Sequence, residues 1–378
     1  MRAAEARLGA GVRGGEPAGL LVVGDIVTDV VARHTTPLTS GTDTAARIRI
    51  LPGGAGANVA CWAARSRGLS AVAPEVRLLG RVGRADSDWH TERLRAAGVR
   101  PLLIPDDSAP TATVVVLVDA GAGAERTFLT DSGAALRIGP ADWSPSLLDG
   151  VGRLHLSGYL LFSESGRRLV RLARESARAR GIAVSVDPAS AGFIARRGVG
   201  SVLAALDGVD LLVPNADEAR LLGGAPDPVA AAAALSRRFP LVVVTLGAAG
   251  AVVAERGAVT ARVPAPAAEA VDSTGAGDAF TGALLAALLS GADPVAAAAE
   301  GCRAGAEAVT RTGGRPELAD GPAPGPRSAP EAPVLRGAPP VPDGRTAPGR
   351  PDGRGAPTGS ESGGTAPRLG GEGALPRP

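Results

Sequence analysis

The chain has 378 residues and a formal net charge of +2 at neutral pH, so no charge imbalance indicates nucleic acid or an anionic membrane as its main partner. Its 40 basic residues are all arginine, and the lack of lysine excludes Schiff-base catalysis, a Walker A loop and the strand lysine of protein kinases. Only two cysteines occur, Cys61 and Cys302, and no secretory signal is recognised, which together predict a cytoplasmic protein without a disulfide framework.

Composition divides the chain into three parts. Residues 1–18 precede the first strand signal, and residues 319–378 consist mainly of Gly, Pro, Ala, Arg and Ser. Such segments bury too little apolar surface to offset the entropy of ordering, so we predict a flexible N-terminal tail and a disordered C-terminal tail. Residues 19–318 are enough for one large domain, and no apolar run in the chain is as long as a membrane span.

Short β-branched runs alternate with Ala- and Leu-rich runs along the central part. Strands are predicted at residues 20–23, 76–79, 153–156, 183–186, 211–213 and 241–245, and helices at 58–67, 87–97, 165–179, 227–237, 276–289 and 294–310. Apolar strands separated by helices are typical of βαβ units. We therefore predict an α/β fold with a mostly parallel central sheet flanked by helices.

Two segments, at about 33–52 and 110–131, break this alternation. The first has strand-like residues without a helix, and the second indicates a hairpin with a Gly-rich turn. Neither fits a parallel sheet, so we predict a small antiparallel sheet that projects as a lid over a ligand cleft. An oligomer contact is the alternative use, and the exposed strand edge predicts a homodimer through the lid.

The strongest chemical signal is the run DSTGAGDAF at residues 272–280. Gly275, Ala276 and Gly277 stand at the start of a predicted helix, where backbone N–H groups and the helix dipole can hold a transferring phosphoryl group. Asp278 stands in the first turn and would accept the proton of an attacking hydroxyl. The alternative is that Asp278 only complements the helix dipole.

Three further motifs accompany this run. GGAGAN at 53–58 leads into a predicted helix, NADE at 215–218 follows a strand, and TLGAAG at 245–250 joins a strand to a tight turn. The first is neither a Walker A loop nor a dinucleotide fingerprint, because the lysine is absent and the glycine spacing is wrong. The other two lie at the C-terminal ends of predicted parallel strands, where α/β sheets bind their ligands.

Together these motifs resemble those of the ribokinase-like, or PfkB, carbohydrate kinases, over about residues 20–318. DSTGAGDAF is similar to the C-terminal signature of that family, GGAGAN to its N-terminal signature, and NADE to its Asn-x-x-Glu motif for magnesium and phosphate. The resemblance implies a ribokinase-like fold with a β lid. It also implies a kinase that uses ATP and Mg²⁺ to phosphorylate a hydroxyl of a pentose, a ketohexose or a nucleoside, with Asp278 as the base.

The resemblance further implies roles for single residues around the substrate. Gly275, Ala276 and Gly277 would form the anion hole. The substrate hydroxyls would be held by three residues: Asp29, Gly54 and Asn58. Considered without the family, Asp29 could instead cap a turn, and Asn58 could be an ordinary helix N-cap.

The remaining implied roles concern the nucleotide and the cations. Four residues at strand ends and in a turn would line the nucleotide site: Asn215, Thr245, Gly247 and Gly250. Glu218 would organise Mg²⁺ through water, and Asp272 matches a residue that helps to hold a monovalent cation in some members, so K⁺ is a further expected cofactor. Considered without the family, Glu218 could be a solvated helix acid and Thr245 a core strand residue.

Departures from the family pattern leave the substrate open. Ala55 stands where ribokinases carry lysine, and residues 157–159 lack the glutamate that ribokinases use on the sugar. Tyr159 favours a nucleoside of the adenosine or pseudouridine type as the alternative substrate. A phosphosugar is less favoured, because the sequence places no arginine at the substrate end. A non-catalytic sugar-binding regulator is also less favoured, because Asp278 and its Gly-Ala-Gly run are intact.

Overall fold

The computed structural model describes residues 12–13, 16–17, 19–67, 75–119 and 125–316. Within these ranges Val12–Arg13 pairs with Glu16–Pro17 as a short antiparallel ladder. The predictions of a flexible segment at 1–18 and a disordered tail at 319–378 fall outside the described residues, apart from this ladder.

Thirteen further strands are present in the described ranges. In chain order they are β1 (Gly19–Val23), β2 (Val27–His34), β3 (Ala46–Gly53), β4 (Val76–Gly83), β5 (Arg100–Asp106), β6 (Ala112–Asp119), β7 (Glu125–Asp131), β8 (Val151–Ser157), β9 (Ala183–Asp187), β10 (Leu211–Leu212), β11 (Leu241–Thr245), β12 (Ala251–Glu255) and β13 (Ala258–Val263). Nine of them form the central sheet, in the order β13-β12-β11-β10-β9-β8-β1-β4-β5. The pairs from β11 to β5 are parallel, and β12 and β13 add two antiparallel edge strands.

Helices cover both faces of this sheet, as predicted. They are α1 (Ala55–Arg67), α2 (Ser87–Ala96), α3 (Glu164–Ala179), α4 (Ala191–Arg197), α5 (Val199–Ala205), α6 (Ala216–Gly223), α7 (Pro228–Leu235), α8 (Ala276–Leu289) and α9 (Pro294–Ala308). Alternate residues of β1 enter different cores: Leu20 and Val22 pack with α1, α8 and α9, whereas Leu21 and Val23 pack with α3 and its neighbours. Continuous apolar strands are therefore explained by burial on both faces.

The lid is present as a second sheet with the strand order β3-β2-β6-β7. The outer pairs are antiparallel, but the central pair β2–β6 is parallel, with Val27 opposite Ala112. Several elements, including α1, β4, α2 and β5, lie between β2 and β6 in the chain. Since no hairpin joins the two strands, they were not required to be antiparallel. Strand β2 begins at Val27 rather than near residue 33, which places Asp29 within the lid.

Several elements were not predicted from the sequence. Edge strand β5 contains Pro101 and Pro105, which weaken a strand signal but are tolerated at a sheet edge. The hairpin β12–β13 was missed, as were the short helices α4, α5 and α6. No helix within the described ranges has the length and apolar character needed to cross a bilayer.

Candidate active site

The glycine motif at residues 53–58 packs against the end of the first strand. Helix α1 starts at Ala55, three residues earlier than predicted, because Asp25 provides acceptors from outside the helix. The backbone N–H groups of Ala55 and Gly56 donate to the Asp25 carboxylate at 2.8 and 3.2 Å. Ser157, at the end of β8, also donates to Asp25, at 2.9 Å. Asp25 therefore holds the start of α1 against two strand ends.

Close backbone approach explains the glycines of this motif. Gly54 has a φ of +97°, and a Cβ there would lie 2.6 Å from the carbonyl oxygen of Asp25. A Cβ on Gly56 would lie 2.7 Å from the Cα of Gly24. Side chains at these positions would push α1 away from the end of β1. The glycines therefore allow the start of the helix to contact the strand end directly.

Asn58 joins the two glycine-rich motifs. Its Nδ2 donates to Oδ2 of Asp278 at 2.8 Å, across 220 residues of sequence. Asn58 is buried and lies inside the first turn of α1, so the alternative that it is the N-cap is wrong. The Asp278 carboxylate thus faces the start of α1, where the Asp25 carboxylate also lies.

Two glycines at the start of α8 differ in their surroundings, since one has a positive φ and a close contact and the other lies beside free space. Gly275 is the N-cap with φ +74°, and a Cβ there would lie 2.4 Å from the Cα of Gly314. Gly277, one residue before Asp278, has no atom within 4 Å of its notional Cβ and is exposed. The first turn of a helix has N–H groups without intrahelical acceptors, and here they lie beside open space.

Carboxylates concentrate around Asp278 and perturb one another. Burial raises the pKa of Asp278 to about 8, and the charges of Asp187, Asp25 and Asp29 contribute, while the Asn58 hydrogen bond opposes the shift. Burial also raises the pKa of Asp29 to about 6 against the opposing charge of Arg315. Closely spaced acids of this kind bind a proton or a cation more tightly than isolated acids do.

The NADE motif forms a helix cap beside this cluster. Oδ1 of Asn215 accepts the Glu218 N–H at 3.0 Å, and Oε2 of Glu218 accepts the Asn215 N–H at 2.9 Å. Glu218 is only 1% exposed, so the alternative that it is a solvated helix acid is wrong. Burial and the charge of Asp187 raise the pKa of Glu218, which places its carboxyl near the cluster.

The predicted nucleotide residues lie at neighbouring strand ends. Asn215 forms an isolated parallel bridge with Thr245, which is half-buried rather than part of the core. Gly247 has φ +59° and open space at its notional Cβ, whereas a Cβ on Gly250 would lie 1.9 Å from the carbonyl oxygen of Val263. Gly250 is therefore required by the turn, and Gly247 leaves room on the exposed side.

The motifs found in the sequence therefore meet at one edge of the central sheet, and over residues 18–320 the chain matches the pfkB family carbohydrate kinase. The chain belongs to this family. A fructokinase from Klebsiella pneumoniae is 33% identical over 281 residues, which is 71% of this chain and 83% of that relative. The bifunctional protein HldE from Pseudomonas paraeruginosa is 31% identical over 291 residues, 73% of this chain but 56% of HldE.

Solved structures agree on the fold. Adenosine kinase from Sinorhizobium meliloti superposes with a TM-score of 0.70 at 24% identity, over 79% of this chain and 96% of that one. The predicted ribokinase-like α/β fold is thereby confirmed. As a member of the pfkB family, the kinase is a phosphotransferase with an alcohol group as acceptor.

The donor groups of this kinase suit the Mg²⁺ that such kinases use with ATP. Within the described ranges, no three His, Cys, Asp or Glu side chains are grouped closely enough to hold a metal ion by themselves. Mg²⁺ normally keeps several waters and binds one or two carboxylates together with substrate phosphates, so an all-protein cage is not needed. The charge of Asp187 acts on both Asp278 and Glu218, so the carboxylates of Asp187 and Glu218 are the ones that would bind Mg²⁺ together with the phosphates.

Asp272 connects the α8 motif to the end of the kinase domain. Its carboxylate accepts the N–H groups of Thr274 at 2.8 Å and Gly313 at 3.1 Å. The same C-terminal loop is held by Trp62, whose Nε1 donates to the carbonyl oxygen of Gly314 at 3.0 Å. Asp272 therefore joins the loop before α8 to the loop that contains Gly313.

Three charged residues of the site were not singled out from the sequence. Asp25 and Asp29 both belong to the run GDIVTD at residues 24–29, and the run itself does not indicate that Asp25 is the one that anchors α1. Asp187 ends β9 and accepts from Ala189 and Thr281. Arg315 donates from Nη2 to the Gly53 carbonyl at 2.9 Å, and its position depends entirely on the loop that carries it.

Proposed function

We propose that this kinase transfers the γ-phosphoryl group of ATP to a hydroxyl of a sugar or nucleoside, with Asp278 as the general base. The observation that carries the proposal is the hydrogen bond from Asn58 to Asp278. It joins the two glycine-rich motifs beside an open helix start. A carboxylate at that point lies next to the donors that would hold the transferred group, as in-line transfer requires.

The proton affinity of Asp278 supports the role of a base. A carboxyl with its ordinary pKa of 3.8 holds a hydroxyl proton weakly, whereas burial among acids raises the pKa of Asp278 to about 8. Loose phosphoryl transfer needs proton removal only late, so position matters more than strength. Mg²⁺ bound with ATP would add positive charge near Asp187 and Glu218 and favour the ionised carboxylate.

The remaining site residues have narrower proposed roles. We propose that Asp29 and Asn58 bind substrate hydroxyls. Gly54 would contribute to the same site by allowing the backbone before α1 to approach the end of β1. Asn215, Thr245, Gly247 and Gly250 would border the nucleotide, Glu218 would act on Mg²⁺ through water, and Asp272 would support a K⁺ site. Asn58, Glu218 and Gly250 are buried, whereas Asn215 and Gly247 are exposed and accessible to a nucleotide.

A nucleoside is the second candidate substrate, and an aromatic cluster favours it. The Tyr159 ring contacts Phe162 and Phe193 edge-on, with centroids 6.0 Å apart in each pair. Burial raises the pKa of the Tyr159 phenol, and the charges of Asp25 and Asp278 add to the shift, so the ring lies beside the carboxylates. A nucleobase could pack on such a surface.

We also propose that the kinase is cytoplasmic. Cys61 and Cys302 are both buried free thiols, which is consistent with the predicted cytoplasmic location. We propose a homodimer through the lid, because the lid exposes the large apolar side chains of Ile48, Ile50 and Leu129.

Asp278→Asn tests the proposed function. ADP release should be measured with pentoses, ketohexoses, sugar acids and nucleosides, with Mg²⁺ and with or without K⁺. We expect at least one substrate to be turned over, and we expect Asn at 278 to lower kcat by about 10²–10⁴. The Tm of the variant should rise relative to the parent at pH 8, because Asn cannot ionise where the raised pKa makes ionisation unfavourable.

Asp88→Asn is the matched control, because Asp88 also lies in the first turn of a helix but is exposed and far from α8 in sequence. It should leave kcat and Tm unchanged. Near-normal turnover by Asp278→Asn, or no turnover of any sugar or nucleoside by the parent enzyme, would contradict the proposed function.

A further inference from the structure

A cleft of about 130 Å³ lies between the lid and the loops at the start of α8. Asp29, Leu51 and Asp272 contribute to its lining. Asp29 belongs both to this cleft and to the acids around Asp278, because its charge contributes to the raised pKa of Asp278. The cleft therefore adjoins the proposed reaction centre. The part of the substrate beyond the phosphorylated hydroxyl would lie in this cleft.

Three arginines of the lid line the same cleft: Arg33, Arg47 and Arg49. The strand registers explain why they share one face. Asp29 and Arg33 are four residues apart on β2, and side chains of a strand alternate between its faces. Arg47 is directly opposite Arg33, and Arg49 is opposite Val31, so both arginines of β3 lie on the face of Asp29 and Arg33.

This arrangement is unfavourable without a negatively charged partner. Like charges directly opposite each other on antiparallel strands destabilise the pair, and Arg33 and Arg47 are such a pair. No salt bridge between described residues involves Arg33, Arg47 or Arg49. Strand β6 offers only Val116 and Val118 on the same lining, so the third strand supplies no carboxylate there.

The cleft thus has an acidic end and a basic end. Asp29 and Asp272 can accept hydrogen bonds from substrate hydroxyls, and they repel an anion. Arg33 is four residues further along β2, roughly 13 Å at a strand's rise per residue, and guanidinium groups bind carboxylates and phosphates through paired N–H groups. A substrate that satisfies both ends has hydroxyls at one end and a negative charge at the other.

We propose that the acceptor substrate is a sugar derivative with an anionic group, phosphate or carboxylate, that Arg33, Arg47 and Arg49 bind away from the phosphorylated hydroxyl. This inference rests on the proposed kinase function and narrows its substrate class. It also reverses the expectation that a phosphosugar is less favoured, since pairing of β2 with β3 brings arginines to the substrate end that the sequence order did not reveal.

The test compares a neutral sugar with anionic ones in the full-length kinase. Initial rates of ADP release should be measured with fructose, fructose 1-phosphate, fructose 6-phosphate and 2-dehydro-3-deoxygluconate. The two fructose phosphates test a phosphate group, and 2-dehydro-3-deoxygluconate tests a carboxylate. We expect kcat/KM for one anionic sugar to exceed that for fructose by about 10-fold or more, because hydrogen bonds between a guanidinium group and an anion are stronger than those to a neutral hydroxyl.

Arg47→Gln and Arg49→Gln should raise KM for the preferred anionic sugar by about 10–100-fold, with kcat and KM for ATP unchanged. Added salt should raise the same KM in the parent enzyme, and by a smaller factor in each variant, because each variant keeps two of the three arginines. Arg47→Gln should leave Tm unchanged or raise it, because it removes like-charge repulsion with Arg33. Arg171→Gln on the exposed side of α3 is the matched control and should change none of these values.

The outcomes separate this inference from the proposed function. If fructose is preferred, or if the Gln variants keep the parent KM for the anionic sugar, the anionic-substrate inference is wrong while the kinase function stands. If the variants raise KM for ATP instead, the arginines bind nucleotide phosphates and the inference is also wrong. If no sugar releases ADP in a reaction that depends on Asp278, the proposed function itself fails.

Discussion

Asp278 and Asn58 show how a single contact can adjust the pKa of the proposed base. The hydrogen bond donated by Asn58 stabilises the ionised Asp278 carboxylate, while burial and three neighbouring acids favour the protonated form. The balance leaves the pKa near 8, so ionisation of Asp278 should govern activity on the acidic side of the pH profile. Removing the Asn58 donor should therefore raise the pKa of Asp278.

We expect Asn58→Ala to move the acidic limb of the kcat/KM profile to higher pH, because the variant lacks the donor that lowers the pKa of Asp278. The pH of half-maximal kcat/KM is the quantity to measure, since the height of the profile also reflects lost substrate contacts. Ser157→Ala removes a donor from Asp25 instead and should shift the limb less. A limb that stays in place or moves to lower pH in Asn58→Ala would contradict this account.

At the scale of elements, the glycines at the start of α8 have different physical requirements. Gly275 has positive φ and touches Gly314, so an added Cβ is strained by both backbone conformation and contact. Gly277 has neither constraint, although it belongs to the same motif. Substitutions at the two positions should therefore separate an effect on folding from an effect on the proposed activity.

Gly275→Ala should lower the free energy of unfolding by about 1–3 kcal/mol, because a residue with a side chain is strained at φ +74°. Gly277→Ala should leave Tm nearly unchanged or raise it, yet lower kcat, since its methyl group would project toward the proposed phosphoryl position. Thermal unfolding and ADP release of both variants measure the two effects. Equal Tm losses, or full activity of Gly277→Ala, would argue against a phosphoryl site at this helix start.

At the scale of the whole molecule, the lid separates two kinds of surface. Its cleft face has Asp29 and Arg33, whereas its outer face exposes Ile48 and Ile50, which pair with Ala32 and Val30 of β2. Adjacent exposed apolar residues on an edge strand are costly in water and are typical of a protein contact. The same lid could thus close one site and bind a second copy of the chain.

We expect sedimentation velocity to show a dimer at micromolar concentration. The double variant Ile48→Glu and Ile50→Glu should be monomeric, because it places charges in the contact. Val295→Glu, at a 41% exposed apolar position on α9, is the control and should remain dimeric. A monomeric parent enzyme, or a double variant that sediments as the parent does, would exclude a dimer through this face.

The amino-acid sequence alone determined the α/β class, the family and the positions of the four motifs. These features depend on local patterns: buried β-branched runs predict strands, and glycines beside an acid at a helix start predict an anion site. A local pattern was sufficient to select Asp278, whereas Asn58, Asn215 and Glu218 were selected by the resemblance of their motifs to those of the family. Local patterns were not sufficient to assign these residues as donor, acceptor or cap, because Asn58 and Glu218 each had an equally local alternative.

Tertiary structure alone decided which distant residues meet. Contacts between segments far apart in sequence explain the Asp25 anchor of α1, the parallel β2–β6 pair, the half-buried Arg315 and the alignment of three lid arginines. Strand pairing and loop docking are long-range, so no local periodicity encodes them. Local patterns thus determined the family of this kinase, whereas the pairing of its lid strands decided which charged residues line the cleft.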